Sequence, residues 1–114
     1  METFYINQAT YGGCLQKAYS SFATRNGVEA IWFPIKVQKA DNQFGYVNVM
    51  CYSRTLQDRL REFIIPANIG KRLIVQGETI FPIKEGKAVM LNLKEISFID
   101  DFIANDDSPD FSED

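Results

Sequence analysis

Five side chains between Val28 and Tyr52 have the types and the spacing to hold a nucleic acid: Trp32, Lys36, Tyr46, Asn48 and Tyr52. Within each of two short runs they recur at even intervals, which puts them on one face of a strand. Aromatic rings offer a stacking surface to any unpaired base, and lysine neutralises phosphate. Catalytic chemistry is poorly served by comparison. The sequence has no histidine, which removes Ser-His-Asp, Cys-His and histidine–metal sites. Cys14 and Cys51 stand far apart with no second cysteine beside either, so there is no Cys-x-x-Cys motif and two free thiols are expected. The acids are scattered, and no Gly-rich phosphate loop appears. The chain is expected to be no enzyme and to carry no metal or cofactor.

Two strands must position the five residues. The first runs from Val28 to Gln38, with Ile31, Phe33, Ile35 and Val37 on an apolar face and Ala30, Trp32, Pro34 and Lys36 on the other. The second runs from Gly45 to Tyr52, with Val47, Val49 and Cys51 inward and Tyr46, Asn48, Met50 and Tyr52 outward. Asp41-Asn42-Gln43 between them is turn-type sequence, so the pair is expected to form a hairpin. An ordinary solvated face carries Thr, Lys and Glu. The competing explanation for this aromatic face is cover by a helix, a loop or another subunit.

The remaining elements follow from pattern. Phe4 to Tyr11 reads as a first strand, interrupted at Gly12-Gly13 and continued through Cys14 to Ala23. Thr24-Arg25-Asn26-Gly27 is a turn. A helix is expected from Thr55, with Asp58 as a capping-box acid and Leu56, Leu60, Phe63 and Ile64 on one face, ending at Pro66. Arg54, Arg59 and Arg61 lie along its polar side, which reads as a solvated face. Lys71 and Arg72 lead into a fourth strand built on Leu73 and Val75, with a bend at Gly77. That strand continues to Ile83, Lys84-Glu85-Gly86-Lys87 turns, and Ala88 to Ile99 gives a fifth strand. Pro34 and Pro82 are expected at edges or bulges. Three strands, one helix and two strands is the plan of the OB fold, a five-stranded Greek-key barrel with a helix between strands three and four.

At 114 residues the chain is read as one domain over residues 1–99 followed by a tail over 100–114. The net charge of −3 conceals a division: all twelve Lys and Arg lie in residues 1–99 with eight acids, leaving that part +4, whereas the tail is −7. A basic body with an acidic appendage suits a polyanion ligand and something that regulates access to it. The tail has too little apolar content to fold alone and is expected to be disordered. No apolar run approaches the ~20 residues of a membrane span, and the first residues lack a signal peptide's basic start. A cytoplasmic protein with no membrane partner is expected.

With Asn26-Gly27, Ala30-Ile31-Trp32-Phe33-Pro34-Ile35, Tyr46-Val47-Asn48-Val49-Met50-Cys51-Tyr52, the helix from Leu56 to Phe63 and the run from Ile69 to Glu78, the chain resembles the bacterial and phage single-stranded DNA-binding proteins over residues 26–99. The resemblance implies base stacking at Tyr46 and Tyr52, the ends of the third strand. It also implies that the hairpin bearing Phe81, Lys84 and Lys87 wraps the nucleic acid. In that fold Arg54, Lys71 and Arg72 are expected phosphate contacts beside Trp32, Lys36 and Asn48. The implied tail recruits replication and recombination proteins, here through Asp106, Asp107, Asp110 and Phe111. Family tails usually end in a Pro-Phe pair, whereas this one has Ser108-Pro109-Asp110-Phe111 and then Ser-Glu-Asp. With almost no linker before it, the chain looks more like a phage or mobile-element version in a bacterial host. The implied function is sequence-independent coating of single-stranded DNA in replication, recombination and repair, by a homotetramer or, as second choice, a dimer. Two rivals use the same face: an RNA-binding OB module, and a protein-interaction domain whose aromatics form an interface.

Overall fold

The computed structural model describes residues 5–81 and 89–105 and contains there six strands and one α-helix. The strands are β1 (Ala9–Leu15), β2 (Ser20–Ala23), β3 (Glu29–Gln38), β4 (Phe44–Cys51), β5 (Arg72–Ile80) and β6 (Val89–Phe98); α1 (Arg54–Phe63) lies between β4 and β5. The sheet order is β1-β5-β6-β4-β3-β2, and a further β1–β3 pairing closes it. β1 and β2 are two pieces of one long first strand, so five strands close the barrel, with β4 and β6 parallel and the other pairs antiparallel. This is the OB fold expected from the sequence, with its helix in the expected place.

Alternation assigns the faces of β3 and β4 as anticipated. Ile31, Phe33, Ile35, Val47, Val49 and Cys51 are fully or almost fully buried with Leu73, Val75 and Leu91 in one core. Val37, expected among them, is only half-buried. Burial of Cys51 pushes its thiol up from the ordinary value. Pro34 is not at a sheet edge. β2 covers Glu29 to Trp32 on one flank of β3 and β1 covers Ile35 and Lys36, so Pro34 falls in the gap between them. Its carbonyl points into that gap, accepting from Gln16 N at 3.1 Å, and its missing N–H leaves no ladder bond unmade.

The first strand differs from expectation. Its interruption lies between Leu15 and Ser20, and β1 runs unbroken through Gly12 and Gly13. A Cβ on Gly13 would stand 2.2 Å from the Lys36 carbonyl oxygen, so the glycine lets β1 and β3 approach closely enough to close the barrel. Gly77 does the same beside the β5 bulge, where a Cβ would stand 1.9 Å from the Asn92 carbonyl oxygen. The strand begins at Ala9, preceded by Asn7, whose amide accepts from Thr79 N (3.1 Å) and donates to Thr79 O (2.9 Å).

Helix α1 starts one residue earlier than its sequence signature. Ser53 is the cap, its hydroxyl accepting from Leu56 N at 3.4 Å, so Asp58 is no capping-box acid. Leu60 and Ile64 seal the barrel, and buried Gln57 donates to the Glu29 and Cys51 carbonyls.

Residues 100–105, read as the start of the tail, lie against the body. Fully buried Asn68 holds this segment, accepting from Ile103 N (2.9 Å) and donating to Ile103 O (2.8 Å). Phe102 packs on Phe98 with ring centroids 4.3 Å apart, and Asn105 N donates to Glu62 O. The sequence pattern missed this because a buried asparagine and a single aromatic contact have no periodicity. Residues 106–114 lie outside the described residues.

Candidate nucleic-acid interface

The β3–β4 hairpin presents an aromatic strip along β4: Phe44, Tyr46 and Tyr52 are 55%, 51% and 40% exposed. Asn48 and Met50 lie between them, half-buried, on the same outward face. Cross-strand register places Lys36 against Tyr46, Pro34 against Asn48 and Trp32 against Met50. Trp32 is half-buried, with Ser20 of β2 on its other side. At the Tyr52 end Ala30 is fully buried although it belongs to the outward set. It faces Phe22 across the β2–β3 ladder, and Phe22 meets Tyr52 edge-on at 6.1 Å.

The sequence pattern does not single out Phe44, because the strand it predicts starts at Gly45. Extending the alternation of Tyr46, Asn48 and Met50 by one step would have found it. Lys36 holds its ammonium 4.3 Å from the Phe44 ring centre, a cation–π contact at the solvent surface. The strip therefore has a positive charge at one end. Beyond the other end Arg54 is exposed at the start of α1, and Lys94 lines a groove with Tyr52, Thr55 and Asn92. Lys94 was also missed, being one exposed lysine on the fifth strand of the sequence pattern.

The expected phosphate contacts Lys71 and Arg72 are present at the start of β5 but already hold partners. Arg72 donates from Nε and Nη2 to the Asp100 carboxylate, the shortest contact being 2.7 Å. These bonds hold the Asp100 carboxyl below its ordinary value and the guanidinium above its own. Lys71 Nζ donates to Asn68 Oδ1 at 2.9 Å and to the Asp101 carbonyl. Arg59 and Arg61 are turned to the body: Arg59 lies over Phe98, and Arg61 lies over Tyr19 and pairs with Glu29 at 3.0 Å. Phe81 is 76% exposed just past β5, while Lys84 and Lys87 lie outside the described residues, as do Asp106, Asp107, Asp110 and Phe111. Among the described residues no group of three or more His, Cys, Asp or Glu gathers to hold a metal ion, and no helix is long and apolar enough to cross a membrane.

No family model matches the chain, and no curated protein matches its sequence. Solved structures do match. The mitochondrial single-stranded DNA-binding protein Rim1 of S. cerevisiae superposes with a TM-score of 0.71 at 15% identity, covering 84% of this chain and 96% of that one. The Plasmodium falciparum SSB, solved in complex with ssDNA, gives 0.62 at 14% identity, covering 88% and 100%. The N-terminal domain of PriB from Thermoanaerobacter tencongensis, described as dimeric, gives 0.59 at 14%, covering 83% and 98%. At the level of fold the resemblance read from the sequence holds: this chain is an OB barrel of the form that single-stranded DNA-binding proteins adopt.

Proposed function

We propose that this chain binds single-stranded DNA without sequence preference. The observation that carries the reading is the exposed strip Phe44–Tyr46–Tyr52 on one barrel face, with Lys36 at its end and Trp32 beside it. Stacking contributes ~1–3 kcal/mol per base and is indifferent to sequence. The Lys and Arg around the strip neutralise phosphates and release counterions. The structural likeness to an SSB solved with ssDNA supports the same reading.

The roles of Trp32, Lys36, Tyr46, Asn48, Tyr52, Arg54, Lys71, Arg72, Phe81, Lys84 and Lys87 as contacts are part of this proposal. So is a setting in replication, recombination or repair, encoded by a phage or mobile element and acting in the host cytoplasm. An excess of +4 on residues 1–99 gives one barrel limited hold on a polyanion, which favours several acting together, as a tetramer or else a dimer. The acids and Phe111 beyond Asn105 are proposed to recruit partner proteins. Truncation after Asn105 should then abolish capture of those partners while leaving the packed segment in place.

The deciding experiment is a titration of the full chain with poly-dT, followed by Trp32 emission and mobility shift, with poly-rU as competitor. Quenching together with a shift, and preference for dT, is the expected result. Preference for rU would favour the RNA-binding module. No shift with either polymer would make the strip a protein interface.

A further inference from the structure

Register places four outward side chains in one line across the barrel. Tyr46 on β4 pairs with Lys36 on β3, Lys36 with Cys14 on β1, and Cys14 with Arg72 on β5. Directly paired residues share a face, so all four line the outside. Three strand spacings separate the ends, ~14 Å. The surface beside this line dips, because Gly12 is exposed and carries no side chain. Lys36, Phe44, Arg72, Ile74 and Ile99 stand around it, enclosing an open groove of ≈ 500 Å³.

Charge distinguishes this line from the outward rows on its Trp32 side, of which the adjacent one, Pro34–Asn48–Met90–Ile80, holds no charged residue. The outward row through Trp32 and Met50 continues to Asn92 and then Glu78, which accepts from Asn92 at 3.3 Å. That row holds an acid and no cation. The Tyr46 row holds two cations, and both are within reach of a ligand: Lys36 sits at the surface over Phe44, and the Arg72 side chain is 66% exposed. A carboxylate already occupies the Arg72 fork through Nε and Nη2, the geometry that a phosphate also takes.

We propose that the line Tyr46–Lys36–Cys14–Arg72 is a second limb of the nucleic-acid path, running across the strands. This rests on the single-stranded DNA reading above. The phosphodiester backbone leaves the base stacked on Tyr46, enters the groove floored by Gly12, and passes between Lys36 and Arg72. The bound strand therefore turns a corner at Tyr46, with one limb along β4 towards Tyr52 and the other across β3, β1 and β5. A phosphate in this limb takes Arg72 from Asp100.

Cys14 lies in the middle of the limb and reports on it without any mutation. It is half-buried, and the one other cysteine, Cys51, is fully buried. The full chain is incubated with dT oligomers of increasing length, and alkylation of Cys14 by iodoacetamide is timed by mass spectrometry. Short oligomers that bind should leave the rate unchanged. Above a threshold length the rate should fall at least tenfold, and affinity should step up at the same length. Gly12→Leu is the companion variant, since a Cβ there meets nothing nearer than Ile74 Cγ1 at 3.8 Å. It should remove the step and the Cys14 protection, and flatten the salt slope by about 1.4, two phosphates at about 0.7 each. Short oligomers should still bind it.

Unchanged Cys14 alkylation with every dT oligomer that binds overturns the proposal, and so does Gly12→Leu binding long oligomers as the wild type does. If Cys14 resists alkylation without DNA and Gly12→Leu changes the oligomer mass, the line is a subunit contact and the proposal falls. If no dT oligomer binds the wild type, the single-stranded DNA reading falls first and takes this limb with it.

Discussion

Replacing Gly13 by alanine should be far more damaging than the same change at its neighbour Gly12. At Gly13 the new methyl would stand 2.2 Å from the Lys36 carbonyl oxygen and 3.1 Å from Val37 Cγ1. Ordinary contact begins near 3.4 Å, so β1 and β3 must part by about 1.2 Å. Forcing a methyl into packed surroundings costs ~1–3 kcal/mol. The pairings Cys14↔Lys36 and Leu15↔Ile35 would loosen as well, at ~0.5–1.5 kcal/mol for each hydrogen bond lost. Removing glycine's extra freedom in the unfolded chain returns ~0.5–1 kcal/mol. The net loss is ~2–4 kcal/mol, which for a barrel of this size lowers Tm by ~10–30 °C. At Gly12 the nearest atom to the new methyl is 3.8 Å away, so only the entropic gain remains and Tm should hold or rise slightly. Thermal unfolding by circular dichroism measures both variants. A Gly13→Ala protein melting within about 3 °C of Gly12→Ala would refute the close approach of β1 and β3 that the closure argument requires.

Tyr46→Ala and Tyr52→Ala should each weaken dT binding by ~1–3 kcal/mol in a fluorescence titration. Tyr52→Ala should also lower Tm, because its edge contact with Phe22 contributes ~0.5–1.5 kcal/mol. A changed oligomer mass without any loss of binding would instead make these tyrosines packing residues. Affinity should fall with salt on a log-log line, and Lys36→Ala should flatten the slope by about 0.7, one phosphate's worth on a single strand. Asp100 has its carboxyl held below the ordinary 3.8 by hydrogen bonds from the Arg72 side chain and backbone. A lowered folded-state value stabilises the protein above the ordinary value, and that contribution disappears as pH falls through the lowered one. The Tm difference between wild type and Asp100→Asn should accordingly be level from neutral pH to about 5 and vanish in stronger acid; a difference that grows on acidification would contradict the pairing.

The legible part of this fold is its alternation. Ile31, Phe33, Val47 and Val49 recur at period two beside a helix of period 3.6, and those two patterns suffice to place β3, β4 and α1. The aromatic strip came from the same alternation read on its other face. What stayed hidden is held by single contacts. Asn68 binds a backbone segment 35 residues away through both ends of its amide, and nothing about an asparagine before Ile69 announces that. Gly13 reads equally well as a kink or as a close approach, and only the neighbouring Lys36 carbonyl decides between them. The line of Tyr46, Lys36, Cys14 and Arg72 joins four strands by register, which local pattern does not encode.

The β1–β3 closure has a consequence for how the barrel moves. Six registered pairs join β1 to β5, but only two join it to β3, so the barrel is zipped along one flank and buttoned on the other. A button of two pairs opens at a fraction of the cost of global unfolding, and native-state breathing should concentrate there. Lys36 and Cys14 form one of those pairs, and Arg72 lies on the strand behind it. A polyanion crossing them, as proposed above, would touch both lips of the opening and favour the closed form. By mass action a ligand at a hundred times its Kd stabilises the form it binds by ~2.7 kcal/mol. The bound strand would then act as a clasp, and the empty barrel would be the looser of the two states.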